Sequence, residues 1–325
     1  MLSELSAGGK RWGILLAGGE GERLKALTRV WAGQPRPKQY CEFVGGRSML
    51  EHTAERASGV VSHRRIVTVI GRGHWQYLEH PRSQAVPGLI IEQPAHRDTG
   101  PGVLLPLTYI LALDPEATVA VFPSDHFIHP ADVFQERLRE AMEAAERLPD
   151  RLVLLGVTPD RPEPEYGWIE TGTRLGGAAG RELRQVEGFV EKPDLAGAAR
   201  LYRSGALWNS FIMAFRARTL WSIACRVLPG IMSRFQSLRL GLEGTGDLPD
   251  LEELYAGMGR ANFSSDLLTH AAHRCVVLPL ADIQWSDWGK PERIAETLHA
   301  LGDEMKGSNL ARSAMLCSAG PMTPR

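Results

Sequence analysis

The stretch Trp12-Gly13-Ile14-Leu15-Leu16-Ala17-Gly18-Gly19-Glu20-Gly21-Glu22-Arg23-Leu24 joins a short apolar run to a turn that contains three glycines in four residues. An apolar run that ends in glycines predicts a buried strand followed by a turn. Because glycine has no side chain, the backbone N–H groups of such a turn can approach a phosphate closely. Arg23 adds a planar, always charged donor for anionic oxygens. The stretch therefore predicts a phosphate-binding turn at the end of a strand.

Further apolar runs and helical patterns alternate along the chain after this turn. We predict strands over residues 65–70, 89–91, 118–122 and 152–157, and helices over 49–58, 103–113 and 133–148. Alternating strands and helices indicate an α/β fold with a Rossmann-like, mixed but mainly parallel sheet and helices on both faces. Ligands of such sheets bind at the carboxyl ends of the strands, so we expect the site there.

The pattern changes after about residue 159. We predict strands over 166–171, 183–189 and 210–215 between glycine-rich loops, a surface loop over 241–250, and a helix over 292–305. The small, polar and unpatterned tail 306–325 is expected to be loose. This organisation predicts one large domain over 1–290, with halves at about 10–158 and 159–290. A small C-terminal helical extension and a flexible tail occupy 291–325.

Composition excludes several classes of partner. The chain has 37 basic and 38 acidic residues among 325, a balance that disfavours a sequence-independent nucleic-acid binder. Its four cysteines, Cys41, Cys225, Cys275 and Cys317, are scattered, which argues against a zinc site and a disulfide framework. The first residues resemble no secretory signal, and no apolar run approaches the length of a membrane span. We expect a cytoplasmic protein that binds neither nucleic acid nor membrane.

A second basic segment, Arg36-Pro37-Lys38-Gln39, follows the glycine turn, and Lys38 offers a point charge for a triphosphate. Two other phosphate motifs are absent or broken. No Walker A loop occurs, and the dinucleotide fingerprint starting at Gly19 and Gly21 has Leu24 in its third glycine position. A nicotinamide dehydrogenase is therefore disfavoured.

Two distant aspartates are candidate ligands of a divalent cation. Asp125 follows the strand predicted at 118–122, and Asp287 follows an apolar segment near the end of the chain. Magnesium takes carboxylate and phosphate oxygens and often needs only one or two protein carboxylates. From spacing alone, the alternative remains that one aspartate caps a helix and the other opens a turn.

Three later segments carry groups suited to a sugar phosphate. They are Glu165-Tyr166-Gly167-Trp168-Ile169-Glu170, Val190-Glu191-Lys192-Pro193 and Trp208-Asn209-Ser210. Carboxylate and amide groups bind sugar hydroxyls, and Lys192 supplies a cation for the phosphate. Taken singly, these residues are equally compatible with a surface Glu–Lys pair and a turn asparagine.

Taken in order, these segments resemble a known family. Leu-Ala-Gly-Gly-x-Gly-x-Arg-Leu followed by Pro-Lys-Gln resembles the signature of sugar nucleotidyltransferases, and the Pro-Lys-Gln form is typical of their mannose-1-phosphate guanylyltransferase branch. Pro123-Ser124-Asp125-His126 and Trp285-Ser286-Asp287-Trp288-Gly289 resemble the family's metal motifs. The three sugar-phosphate segments resemble its Tyr-Gly-x-Ile, Phe-x-Glu-Lys-Pro and Trp-Asn-Ser motifs.

The resemblance implies a reaction and its residues. A sugar 1-phosphate attacks the α-phosphorus of a nucleoside triphosphate, most simply mannose 1-phosphate on GTP, giving GDP-mannose and pyrophosphate. Nucleotide binding falls to Leu16, Ala17, Gly18, Gly19, Gly21, Gln93 and Thr99. The catalytic set is Arg23, Lys38, Asp125, Lys192 and Asp287, with Mg²⁺ on Asp125 and Asp287. Sugar-phosphate binding falls to Gly167, Glu191, Lys192 and Asn209. The two halves then bind nucleotide and sugar phosphate respectively, the partners are these small molecules, and the assembly expected is a homodimer.

The chain departs from the family pattern in the loop that the resemblance places near the base. Segment 92–101 resembles Glu-Pro…Arg-Asn-Thr-Ala-Pro, but Asp98 replaces Asn and Gly100 replaces Ala. Phe211 also follows Trp-Asn-Ser where glycine is common. Two alternatives therefore stay open: the same reaction with another pair, such as dTTP or UTP with glucose 1-phosphate, and a non-catalytic regulatory subunit that senses sugar nucleotides.

Overall fold

The computed structural model describes residues 11–79, 86–176 and 182–301. The predicted tail 306–325 and Cys317 lie outside this part of the chain. No helix of the described ranges is both long enough and apolar enough to cross a membrane.

Within the described residues, the first half contains six strands and five helices. They are β1 (Arg11–Ala17), α1 (Lys25–Ala32), α2 (Met49–Ser58), β2 (Ile66–Ile70), α3 (Trp75–Leu78), β3 (Leu89–Glu92), α4 (Thr99–Leu113), β4 (Thr118–Pro123), β5 (Phe127–His129), α5 (Ala131–Arg147) and β6 (Leu152–Val157). Every strand and helix predicted here is confirmed. Helix α4 begins four residues earlier than its apolar pattern predicted, because Asp98 accepts a hydrogen bond from the backbone N–H of Thr99 and caps it.

The second half contains the remaining elements. They are β7 (Gly167–Leu175), β8 (Leu183–Glu191), α6 (Leu195–Arg203), β9 (Leu207–Arg216), α7 (Ala217–Val227), α8 (Pro229–Leu242), α9 (Leu251–Ala256), β10 (Cys275–Leu280), β11 (Gln284–Ser286) and α10 (Pro291–Ala300). Sequence reasoning predicted β7, β8, β9 and α10 but neither α7, α8 nor β10. Strand β10 contains Pro279, which argues against a central strand. The neighbouring strand β8 pairs only with Val276 and Val277 of β10. Pro279 lies beyond this ladder, so its lack of an N–H removes no hydrogen bond to β8.

Nine strands of the described chain form one twisted sheet in the order β3-β2-β1-β4-β9-β6-β10-β8-β7. The pairings β3-β2, β2-β1, β1-β4 and β6-β10 are parallel, whereas β9 and β8 run against their neighbours. Seven of these strands thus share one direction, which confirms the mixed, mainly parallel sheet. Strand β9 lies between β4 and β6, so both halves of the chain build the same sheet.

Helices cover both faces of the sheet. Helix α4 is apolar on nearly all sides, and it packs with α7 and α8 over the first face. Helices α2 and α5 cover the second face, where α5 buries Phe134, Leu138 and Met142 and turns its charged side outward. The apolar faces of the sheet are therefore buried, and its carboxyl edge is left for a site.

Helix α10 is packed against the opposite end of the chain. Its Ile294 and Leu298 join Leu24, Trp31 and Trp288 in one buried cluster. The helix begins one residue before the predicted start and its regular part ends at Ala300, while residues 302–305 lie beyond the described part. This packing fixes the segment that carries Asp287 against the glycine turn.

Gly156 provides a test of sheet packing. A Cβ at this position would lie 2.8 Å from both Leu207 Cδ1 and Val277 Cγ2, inside the close-packed sheet. We expect Gly156→Ala to lower the free energy of unfolding by about 1–3 kcal/mol, the usual cost of overpacking. Gly46→Ala is the matched control, because a Cβ there meets nothing within 4 Å. Denaturant unfolding of both variants checks this, and equal midpoints would contradict the packing.

Candidate active site

An open cleft with a cavity volume of about 350 Å³ lies at the carboxyl ends of the sheet strands. Most of the predicted site residues line it, although they come from every part of the chain. These are Leu16, Gly18, Gly19, Arg23, Gln93, Thr99, Asp125, Gly167, Glu191, Lys192, Asn209 and Asp287. Of the predicted residues, Ala17, Gly21 and Lys38 do not line the cleft, and their contacts show supporting positions.

The glycine turn is held from below by Gln39. Its buried side-chain amide donates hydrogen bonds to the carbonyls of Ala17 at 2.9 Å and Gly19 at 2.7 Å. Gly21 has a φ of 64°, and a Cβ there would lie 3.1 Å from the backbone N of Lys38. Only glycine suits both conditions. Ala17 and Gly21 therefore shape the turn, and Gln39, inside the Pro-Lys-Gln segment, is a functional residue that sequence reasoning missed.

Arg23 is a free cation at the mouth of this turn. Its side chain is exposed and lines the cleft, and it forms no ion pair with a described residue. Because its charge is not neutralised by a carboxylate of the described chain, the guanidinium is available to an anionic ligand.

A small two-stranded sheet brings the two candidate metal ligands together. Strands β5 and β11 pair antiparallel, with Phe127 opposite Ser286. Asp125 lies two residues before Phe127, and Asp287 directly follows Ser286. This register brings together the two segments that carry the aspartates, and both residues line the cleft.

Lys38 already places a positive charge between these segments. Its ammonium lies 2.9 Å from Asp125 Oδ2 and donates hydrogen bonds to the backbone carbonyls of Asp287 and Trp288. Burial alone would raise the pKa of Asp125, but Lys38 and His126 hold this pKa below its usual value. The aspartate is therefore ionised at neutral pH.

The oxygens around Lys38 suit a hard divalent cation. Carboxylate and carbonyl oxygens are the ligands that magnesium prefers, and here they already attract a cation. In the described ranges no three histidine, cysteine or acidic side chains cluster as a complete metal cage. Two carboxylates leave coordination positions for phosphate oxygens and water.

Arg293 fixes the second aspartate. Its guanidinium donates to Asp287 Oδ1 at 2.7 Å, where the backbone N–H of Gly289 also donates at 2.8 Å. The same guanidinium lies 4.3 Å from the centre of the Tyr166 ring and 3.1 Å from Glu163. Asp287 thus has one oxygen fixed by the protein. Sequence reasoning missed Arg293, since nothing in the neighbouring sequence indicates that α10 contacts Asp287.

The sugar-phosphate residues meet where β7 and β8 pair. Gly167 lies opposite Glu191, and a Cβ at Gly167 would lie 2.7 Å from Glu191 Oε2. Glycine therefore makes room for the carboxylate at the cleft wall. Lys192 follows with a φ of 44°, and its half-exposed ammonium lies 3.4 Å from Glu191 Oε1.

A β-bulge directs Asn209 to the same end of the cleft. The register between β6 and β9 shifts at Leu155 and Gly156, opposite the segment that contains Asn209. Asn209 Oδ1 accepts a hydrogen bond from the backbone N–H of Phe211, whose φ is 59°. Glycine is common at the position of Phe211 in the family pattern, and the positive φ of this residue is a backbone conformation that favours glycine.

The segment 93–99 forms the other end of the cleft. The Gln93 side chain donates a 3.1 Å hydrogen bond to the Tyr255 hydroxyl, and Thr99 begins α4. Asn262 and Ser264 line the cleft beside them, although sequence reasoning assigned them no role. The start of α4 is capped here by Asp98, whose carboxylate accepts a hydrogen bond from the backbone N–H of Thr99.

Comparisons with known proteins agree with this architecture. The chain is 33% identical over 282 residues to the xanthan biosynthesis protein XanB of Xanthomonas campestris pv. campestris, covering 85% of this chain and 57% of that protein. It is 30% identical over 290 residues to mannose-1-phosphate guanylyltransferase of Escherichia coli K12, covering 86% and 58%. The chain thus spans little more than half the length of these curated relatives.

A solved structure and a family model complete the comparison. The crystal structure of mannose-1-phosphate geranyltransferase from Thermus thermophilus matches with a TM-score of 0.75 and 30% identity, over 91% of this chain and 80% of that one. The model of the nucleotidyl transferase family matches residues 12–304, nearly the whole described chain and its cleft. The chain belongs to the nucleotidyl transferase family.

Proposed function

We propose that this chain transfers the guanylyl group of GTP to mannose 1-phosphate, forming GDP-mannose and pyrophosphate. The observation that carries the proposal is that one cleft is lined by two carboxylates, by Arg23, which forms no ion pair with a described residue, and by a lysine beside a sugar-type pocket. These groups suit two phosphorylated substrates that must be brought together against their mutual repulsion. Similarity to a mannose-1-phosphate guanylyltransferase favours guanine and mannose among the possible substrates.

The triphosphate is assigned to the glycine-turn end. Backbone N–H groups of Gly18 and Gly19 approach its oxygens, and Arg23 neutralises charge that develops on the leaving pyrophosphate. Lys38 supports this end by its contact with Asp125.

Asp125 and Asp287 would hold the magnesium ion. Bound there, the ion would supply positive charge that reduces the repulsion between the two substrates. Lys38 and Arg293 hold the two carboxylates in place through these ion pairs. Because each aspartate already has a protein cation on one oxygen, the pair presents its remaining oxygens in a fixed direction.

The sugar phosphate is assigned to the opposite end. Glu191 and Asn209 accept and donate hydrogen bonds to sugar hydroxyls, and Lys192 holds the phosphate. A phosphate oxygen of the sugar 1-phosphate attacks the α-phosphorus in line, and the bond from that phosphorus to the pyrophosphate oxygen breaks. Catalysis then consists of positioning and charge stabilisation, with no covalent intermediate on the enzyme. A homodimer and a cytoplasmic location remain predictions.

Pyrophosphate release tests the proposal. Purified protein with magnesium is assayed over a grid of five nucleoside triphosphates and several hexose 1-phosphates. We expect release that requires both GTP and mannose 1-phosphate. Release with another pair would move the specificity to that pair, and silence from folded protein would favour the regulatory alternative.

The two aspartates provide the first mutational test. Asp125→Asn and Asp287→Asn keep the shape of the side chain but remove its charge, so we expect each to lower kcat at least about 100-fold. Asp132→Asn, in the exposed first turn of α5, is the matched control. Steady-state kinetics at saturating magnesium check this, and near-normal kcat in either cleft variant would refute the metal assignment.

Substitution of Lys192 distinguishes the sugar-phosphate site from the nucleotide site. Lys192→Ala removes a charged hydrogen-bond donor to the sugar phosphate, so we expect KM for mannose 1-phosphate to rise about 10- to 100-fold. KM for GTP should change little. Lys25→Ala, an exposed lysine paired with Glu22, is the control. A change confined to the KM for GTP would show that the sugar pocket is assigned to the wrong end.

A further inference from the structure

The two departures from the family pattern, Asp98 and Gly100, lie in segment 92–101, here called the base loop. Both lie at one contact with residues 261–263. Residues 261–263 lie along residues 97–100 and are joined to them by three hydrogen bonds from backbone donors. Ala261 N–H donates to Arg97 O at 3.2 Å, Gly100 N–H donates to Ala261 O at 2.8 Å, and Phe263 N–H donates to Thr99 Oγ1 at 2.9 Å. The base loop is therefore fixed by a second segment that also lines the cleft.

Gly100 is required by this contact. A Cβ at that position would lie 2.7 Å from the carbonyl oxygen of Ala261, closer than such atoms approach. An alanine, the residue of the family pattern, would separate the two segments. The replacement by glycine thus lets residues 261–263 approach the loop.

Asp98 is held at the same contact. Its Oδ1 accepts hydrogen bonds from Thr99 N–H at 2.7 Å and from Asn262 Nδ2 at 3.2 Å. The Asn262 amide is itself oriented, because its Oδ1 accepts from the backbone N–H groups of Ser264 at 2.9 Å and Ser265 at 3.1 Å. The amide NH₂ must therefore point toward Asp98.

The second carboxylate oxygen of Asp98 is much less committed. Its partner among the described residues is the exposed guanidinium of Arg260 at 3.7 Å, beyond hydrogen-bond distance. Asp98 lines the cleft beside Thr99 and Asn262. The base end of the cleft thus has a carboxyl oxygen available as an acceptor in a fixed position.

An ionised carboxylate accepts hydrogen bonds and donates none. Among the five common bases, guanine alone offers two adjacent donors on one edge, its N1–H and its 2-amino group. Adenine and cytosine place a donor beside an acceptor, and uracil and thymine offer a single N–H between two carbonyls. The chemistry of Asp98 therefore fits the guanine edge best.

We propose that Asp98 determines the specificity for guanine by accepting these hydrogen bonds, and that Asn262 is the positioning residue that orients it. The inference rests on the proposed function, from which it takes the cleft as a nucleoside triphosphate site. The replacement of asparagine by Asp98 then strengthens guanine selection, and Gly100 allows Asn262 to reach the loop.

Inosine triphosphate is the probe, because it keeps N1–H and lacks the 2-amino group of GTP. Calorimetric Kd values with magnesium, measured for both nucleotides, test selectivity without requiring turnover. We expect the wild-type protein to bind GTP about 10-fold or more tightly than ITP, within the range for a bidentate base contact. Asp98→Asn should reduce this ratio several-fold, since it replaces an acceptor oxygen by an amide group that can present a donor to the guanine donors.

Asp282→Asn is the matched control for this substitution. Asp282 is an exposed aspartate whose φ of 61° is close to the 71° of Asp98, but it does not line the cleft. We expect the control to keep the wild-type ratio of GTP to ITP affinity. This result would show that an asparagine at a position with positive φ does not by itself change the ratio.

Asn262→Asp tests the positioning role. The new carboxylate still accepts from Ser264 and Ser265, but it no longer donates to Asp98 and adds a like charge. We expect the GTP:ITP selectivity to fall several-fold while Tm changes little. The double variant Asp98→Asn/Asn262→Asp restores a hydrogen bond between the two side chains, and it should not restore selectivity.

The outcomes separate this inference from the proposed function. A wild-type ratio near 1, or a ratio unchanged in Asp98→Asn, would overturn the assignment of Asp98. An unchanged ratio in Asn262→Asp would overturn the positioning role. Selective GTP binding without pyrophosphate release would support the inference and contradict the proposed reaction instead.

Discussion

The pairing of β5 with β11 is the contact on which the site depends. Each strand has only three residues, yet their register brings together the segments that carry Asp125 and Asp287. Carboxylates that share one site repel each other unless cations compensate them. Lys38 compensates the first and Arg293 the second. The cluster around Trp288 packs α10 against the start of α1 and so keeps this arrangement in place.

The rest of the cleft follows from the shared sheet. Strands β1 and β4 end side by side, so the glycine turn and Asp125 lie at one edge. Strands β7, β8 and β9 bring Gly167, Glu191 and Asn209 to the opposite side. A parallel sheet with its strand ends at one edge supplies phosphate-binding loops, and the antiparallel insertion of β9 supplies a second pocket facing them. Two anionic substrates can thus be held on one rigid framework.

The sequence allowed the local parts of this arrangement to be predicted. An apolar run ending in glycines identified β1 and its turn, and acidic residues after apolar runs identified Asp125 and Asp287. Contacts between distant segments were not accessible, because no local pattern encodes them. Lys38 was expected at the leaving group, but its ammonium lies on Asp125 beneath the cleft. Arg293 contacts Asp287 only because α10 packs there, and Asn262 lines the cleft only through the contact of segment 261–263 with the loop.

Departures from a pattern were also hard to interpret without the fold. Asp98 and Gly100 weakened the assignment of the base when each was considered alone. In the structure they belong to one contact with Ala261 and Asn262. Strand β10 shows the same limit, since the position of Pro279 beyond the β8 ladder is a property of the sheet. Contacts between distant segments therefore explain the roles of Asp98 and Gly100 and the position of Pro279, which sequence patterns alone did not.

Crystals grown with Mn²⁺ and a non-hydrolysable GTP analogue test the central claim most directly. Manganese scatters anomalously and takes the same oxygen ligands as magnesium. The account predicts an anomalous peak about 2 Å from carboxylate oxygens of both Asp125 and Asp287, with phosphate oxygens completing its coordination. A nucleotide bound in the cleft with its manganese on other residues, or on phosphates alone, would contradict it.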